Sequence, residues 1–229
     1  LVKMIKKAYY TKKPLMVVGG IGVGKSDTFR TAAREIAEAE NLPFEETKLP
    51  YKFPHSFCLT DYRLAQKDPS DISGTPWTFA LCRLNGKHVE IPVNALPEFY
   101  KTYPDLEVLM YSTHWAPPAW LPRDGKGIIF LDEFFLAPKL IQSSGLEMIY
   151  DRKCGEWIEP DGWITCGAGN RGLEDRVFQF ESSAALDNRF IWVELKVPDA
   201  ESWVHWGLRN GIDSRVLAFV TVFPTRIYG

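Results

Sequence analysis

The stretch GGIGVGKSD, Gly19 to Asp27, limits what this chain can fold into more than any other. Gly19, Gly20, Gly22 and Gly24 crowd into six positions directly after the uninterrupted apolar run Leu15, Met16, Val17 and Val18. Beyond them Phe29, Ala32, Ala33, Ile36 and Ala37 recur at helical spacing until Asn41, Leu42 and Pro43 close the pattern. The order is therefore buried strand, glycine turn, helix. Such a turn can curl until successive backbone N–H groups face inward, toward where phosphate oxygens would sit, and side chains at its bends are expected to collide. The helix N-terminus adds its partial positive charge. The spacing fits G-x-x-x-x-G-K-[ST] on Gly19, Gly24, Lys25 and Ser26, which assigns Lys25 to the β- and γ-phosphates and the Ser26 hydroxyl to Mg²⁺. The nucleotide-binding set is then Gly19, Gly20, Ile21, Gly22, Val23, Gly24, Lys25, Ser26 and Asp27, and the ligand a nucleoside triphosphate, ATP.

Three further positions carry chemistry that such a loop requires. GIIFLDE, Gly127 to Glu133, is an apolar strand ending in two carboxylates, at the strand end where ligands bind in open α/β sheets. Asp132 is expected to hold Mg²⁺, directly or through water, and Glu133 to polarise a water for attack on the γ-phosphate. An Asp-Glu pair taken alone belongs more often to a solvated loop; the strand and the phosphate loop reverse that reading. Asn170 ends a third apolar strand, where a neutral amide could hydrogen-bond the γ-phosphate or the attacking water. Arg189, in ALDNRF ahead of the strand IWVEL, has the permanent forked charge suited to a transferring phosphoryl group. Spacing alone would favour a surface or ion-paired arginine there.

The rest of the chain bounds the architecture. Its 229 residues, 45% of them hydrophobic, suffice for one large domain or a domain with a small appendage. A formal net charge of -2 gives no electrostatic reason to expect nucleic acid or an anionic membrane, and Lys6, Lys7, Lys12 and Lys13 read as a solvated face. Cys58, Cys82, Cys154 and Cys166 show no C-x-x-C spacing, which fits buried free thiols in a reducing compartment rather than a zinc site or disulfides. No apolar run reaches the roughly 20 residues that span a bilayer, and no secretory signal opens the chain, so a cytoplasmic location is expected. The start on Leu1 and the stop at Gly229 after a helical pattern read as a piece of a longer protein. Ser56 to Ala65 predicts a second strand, followed by the turn-rich QKDPSDISGTP. Asn85-Gly86 predicts a hairpin inserted within residues 77–114, and PKLIQSSGLEMIY a helix. A second hairpin is expected to turn at Pro160, Asp161 and Gly162. Apolar strands alternating with helices imply an α/β, three-layer αβα P-loop core around a parallel sheet, over residues 1–197, with the start of a helical lid over 198–229.

Taken together, these motifs resemble the AAA+ ATPases, and within them the MoxR-like branch, related to the dynein-like AAA modules. The resemblance runs from about Pro14 to about Phe219. GGIGVGKS is like the Walker A box, GIIFLDE like Walker B, ITCGAGN like the sensor 1 strand and ALDNRF like the segment bearing the arginine finger. DPSDISG, Asp68 to Gly74, resembles a short stretch after the second strand of MoxR-like proteins, and LPRDGKGIIFLDEFFLAPKLIQSSGLEMI their Walker B region. The insert near Asn85 falls where the helix 2 insert belongs, GEWIEPDGW where the pre-sensor 1 hairpin belongs, and ESWVHWGLRNGIDSRVLAF resembles the lid of phage-borne and bacterial relatives. Phe134 to Ala137 replace the family's usual Ile-Asn-Arg-Ala after Walker B, and Arg171 stands where a proline usually follows the sensor Asn. The sensor 2 arginine is expected beyond Gly229.

The resemblance implies a magnesium-dependent ATPase whose subunits form a ring, expected to be hexameric, with Arg189 reaching a neighbour's nucleotide. It implies remodelling or assembly of a protein client, often with a von Willebrand A domain partner. The rival readings are a nucleic-acid motor or loader on the same fold, a small-molecule P-loop kinase, and a poorly hydrolysing nucleotide switch with Phe135 and Leu136 forming a partner surface.

Overall fold

The structure is a computed structural model and describes residues 1–170 and 190–226. Its centre is a six-stranded, wholly parallel sheet in the order β11-β1-β10-β7-β3-β2. The strands are β1 (Leu15–Gly19), β2 (Phe44–Glu46), β3 (Phe57–Arg63), β7 (Lys126–Asp132), β10 (Trp163–Gly169) and β11 (Ile191–Leu195). Helices α1 (Val2–Thr11) and α2 (Lys25–Ala39) cover one face, and α5 (Lys139–Asp151) covers the other. The fold is thus the three-layer α/β class expected.

Coverage on both faces explains why the strands read as unbroken apolar runs. Alternate residues go opposite ways: Leu15, Val17, Phe57, Leu59, Ile128 and Phe130 pack toward α1 and α2, while Met16, Val18, Cys58, Tyr62, Ile129 and Leu131 pack toward α5. Phe29 of α2 stacks on Phe130 with ring centroids 4.2 Å apart, tying the helix that follows the glycine turn to the strand that ends in Asp132. Strand β2, three residues long and only half-buried, lies at the sheet edge, where no apolar run announces it.

Three local expectations change. The insert is larger than a hairpin: β4 (Thr75–Leu84) and β5 (Lys87–Pro92) turn at Asn85-Gly86, both at positive φ, and β6 (Glu107–Ala116) pairs with the other edge of β4. Helix α4 (Leu96–Thr102) closes a small core of Ala80, Cys82, Ile91, Leu96 and Leu106. The turn-rich DPSDIS is a short helix, α3 (Pro69–Ser73), because Pro69 presets its first turn and the Asp71 carboxylate accepts from the Asp68 N–H at 3.1 Å. The second hairpin, β8 (Lys153–Cys154) and β9 (Trp157–Ile158), turns at Gly155-Glu156 and not at Pro160 to Gly162. The latter turn leads into β10, which pairs in parallel with β1 and β7.

The carboxylate of Glu159 is buried against Arg152, at 2.8 Å, and Thr165, at 2.6 Å, and pins that hairpin to β10. Burial raises the Glu159 pKa, opposed by those two partners. All four cysteines are buried and free. Burial pushes the Cys58 and Cys154 thiols up to about 11, which leaves them protonated and unreactive at neutral pH. Two helices follow β11, α6 (Ala200–Arg209) and α7 (Ser214–Val222), capped by the Asp199 and Asp213 carboxylates on the N–H groups of Ser202 and Arg215. No helix among the described residues is long and apolar enough to cross a membrane.

Phe134, fully buried between Leu64, Gly145 and the α5 face, anchors the chain just after Asp132. Phe134→Ala is expected to cost about 3–5 kcal/mol, read as a lowered denaturant midpoint.

Candidate nucleotide site

Every charged or polar side chain expected at the site, other than Arg189, sits at the C-terminal edge of the parallel sheet or on the loop above it. Asp132 ends β7, Asn170 follows β10, and the glycine loop leaves β1 and enters α2. In that sheet β1 lies between β10 and β11 and far from β2, so the strand order reverses beside the loop, the crevice where open α/β sheets bind ligands. Together these residues line a cleft of about 340 Å³ that includes Ile21 to Asp27, Asp132, Glu133 and Asn170.

The glycines answer to different demands. A Cβ on Gly19 would lie 2.6 Å from the Leu195 carbonyl oxygen of the neighbouring strand β11, so this position is set by strand packing. Gly22 and Gly24 have φ of +74° and +88° with nothing within 4 Å of a built Cβ, so their need is conformational and not the collision expected. Gly20 has neither constraint, its nearest heavy atom being Val23 Cγ1 at 3.6 Å. Gly24→Ala is therefore expected to lower folding stability by about 1–2 kcal/mol through left-handed strain, while Gly20→Ala stays within about 0.5 kcal/mol, both read from denaturant titrations.

Lys25 is 9% exposed, and its ammonium donates to the carbonyls of Gly19 at 2.9 Å and Gly20 at 2.8 Å and to Asn170 Oδ1 at 2.7 Å. One cation thus fastens the base of the loop to the end of β10. Ser26 Oγ donates to Asp132 Oδ2 at 3.0 Å, and Asp132 Oδ1 accepts from the Glu133 N–H at 2.8 Å. Glu133 itself adopts φ of 55°, a left-handed conformation rare for a glutamate, at the kink between β7 and the turn Phe134–Leu136. Among the described residues its carboxylate has no hydrogen-bond or ion-pair partner, and it lines the cleft. Asp27 is exposed and ion-paired with Arg30 at 2.9 Å. Arg189 and Arg171 lie outside the described residues.

Residues that no motif flagged also line the cleft. Asp61 and Arg63 come from β3, and Arg30 from the second turn of α2. The Asp61 pKa is raised, first by burial and then by the charge of Asp132, against the opposing charges of Arg30 and Arg63. Its signal in the sequence is a carboxylate inside the apolar strand FCLTDYR, which is visible but has no spacing rule attached to it. Phe135 is buried, with its ring against Gly169 and stacked 6.4 Å from Trp192, so it props the end of β10 and cannot serve the partner surface expected of it; Leu136 is exposed. A second cleft of about 730 Å³ opens on the other side of the loop, between Ile21 to Gly24 and the side chains of Val2, Pro198, Trp203 and Trp206.

No protein-family model matches the chain, and no curated protein matches it. Among solved structures the chain is similar to NtrX from Brucella abortus, with 17% sequence identity and a TM-score of 0.42. The match covers 90% of this chain and 38% of that one, so the chain spans well under half the length of NtrX.

The residues present fit a polyphosphate with Mg²⁺. Among the described residues no group of three or more His, Cys, Asp or Glu could hold a metal ion. A hydroxyl and one carboxylate, already 3.0 Å apart in Ser26 and Asp132, suit an ion that takes most of its ligands from phosphate oxygens and water.

Proposed function

We propose that this chain is the core of a magnesium-dependent ATPase of the AAA+ kind, of the MoxR-like branch, acting as a ring. The observation that carries the reading is the hydrogen bond from Ser26 to Asp132, which joins the phosphate loop to the acidic strand end across 106 positions of sequence. Ser26 and Asp132 would hold Mg²⁺, which supplies neutralisation of the charge on the phosphate oxygens. The loop N–H groups and Lys25 bind and orient the triphosphate. Glu133, without a partner among the described residues and next to Asp132, holds a water and accepts its proton as the water oxygen bonds to the γ-phosphorus and the bond to the departing ADP oxygen breaks. Asn170, held by Lys25, orients the γ-phosphate or that water. The nucleoside base has room in the second cleft, where Trp203 and Trp206 offer stacking surfaces.

Arg189 would act on a neighbouring subunit's nucleotide, which makes the active unit an oligomer, expected to be a hexamer. Residues 1–197 would form the nucleotide core and 198–229 the start of the lid, with the insert sheet presented to a protein client. A von Willebrand A domain partner comes from the resemblance alone, and a cytoplasmic location from the sequence's lack of a long apolar run and of a secretory signal.

Glu133→Gln is expected to keep ATP affinity while phosphate release falls at least about tenfold, since a removed general base commonly costs that much or more; unchanged turnover would remove Glu133 from the role. Specific activity should rise steeply with protein concentration, and Arg189→Ala subunits, inactive alone, should regain turnover when mixed with Glu133→Gln subunits. A flat concentration dependence would mark a self-sufficient subunit, and stimulation by DNA that fades in salt would replace the protein client with nucleic acid.

A further inference from the structure

Four acidic and three basic side chains of the described residues line the nucleotide cleft. Its basic lining is Lys25, Arg30 and Arg63. Its acidic lining is Asp27, Asp61, Asp132 and Glu133. Arg30 is largely committed elsewhere, to Asp27 at 2.9 Å and to both oxygens of Glu46 at 3.0 Å. Its contact with Asp61 Oδ2 is a long 3.4 Å. The other oxygen, Asp61 Oδ1, is buried and has no hydrogen-bond partner among the described residues. The Asp61 charge is therefore poorly compensated.

Its placement gives that charge a direction. Phe57, Leu59 and Asp61 alternate on β3 toward α2, as Ile128, Phe130 and Asp132 do on the adjacent strand β7. Asp61 pairs in register with Phe130, two positions before Asp132, so both carboxylates stand on the face that carries Ser26. An incoming polyphosphate meets two carboxylates of like charge on that face. A divalent cation entering with it offsets both, and the waters it retains can donate to a carboxylate oxygen that nothing else satisfies.

Resting on the ATPase reading above, we propose that Asp61 is a specificity-determining residue that makes nucleotide binding conditional on the metal: it disfavours free ATP and admits the magnesium complex. Its part lies in which form of the nucleotide enters, not in the chemical step.

The test is ATP binding by calorimetry, without turnover, in magnesium and in EDTA, for the wild-type chain and Asp61→Asn. Wild type should bind at least about tenfold more weakly in EDTA, and Asp61→Asn should shrink that ratio about fivefold or more, mainly by tighter binding in EDTA, as expected when one charge near the phosphates is removed. Glu35→Gln, which removes a carboxylate of α2 that pairs with Lys6 and does not line the cleft, should leave the ratio unchanged. An Asp61→Asn ratio equal to wild type, or an equal loss of affinity in both conditions, overturns the proposal. Ligand-free Asp61→Asn and Asp61→Ser should melt at or above the wild-type temperature, because a half-buried charge with one unsatisfied oxygen is gone. A fall of several degrees in both would make Asp61 a structural residue and also overturn it. Absence of ATP binding by wild type in either condition would instead sink the ATPase reading on which this rests.

Discussion

The hydrogen bond between the Ser26 hydroxyl and the Asp132 carboxylate is the contact on which the rest of the site depends. It can form only because three larger features agree. The β1 chain must leave the sheet through a turn that glycines permit, α2 must begin at Lys25, and β7 must end level with that beginning. The parallel sheet supplies the last condition, since it brings the C-terminal ends of β1, β7, β10 and β3 to one edge. The Phe29–Phe130 stack then holds helix and strand together within the core, a few residues below the polar pair.

Around that contact the cleft concentrates charge of both signs. Lys25 is shared among two loop carbonyls and Asn170, so the residue at the heart of the phosphate motif also fastens β10 to the loop. Among the described residues, carboxylates from β3 and β7 face the same side, with Arg30 and Arg63 opposing the charge of Asp61. A buried carboxylate oxygen left without a partner among the described residues, as Asp61 Oδ1 is, is costly to the fold. The apolar residues after Glu133 have a simple structural outcome. Phe134 fills the core beside α5 and Phe135 braces Gly169, so the end of β10 is held by packing.

Legibility followed the range of the forces involved. The glycine loop, the apolar strands β1, β7 and β10, helices α2 and α5 and the Asn85-Gly86 turn all announce themselves within a few residues, through period and turn chemistry. Strand β2 does not, being a short, half-buried edge. Neither does the pairing of β6 with β4, which joins segments separated by a helix and can be seen only once they are folded together. The second hairpin turns at Gly155-Glu156 although Pro160-Asp161-Gly162 is a good turn sequence in its own right. Its following strand found parallel partners in β1 and β7, which bury both of its faces, rather than an antiparallel one in β9.

From the linear chain come the glycine loop, the carboxylates at a strand end and the class of fold, because each rests on residue type and near-neighbour spacing. The union of Ser26 with Asp132, the grip of Lys25 on Asn170 and the presence of Asp61 beside them belong to the folded sheet. Strand order and register are settled by burial over the whole core, and no local pattern of residues encodes which carboxylate will stand opposite which hydroxyl.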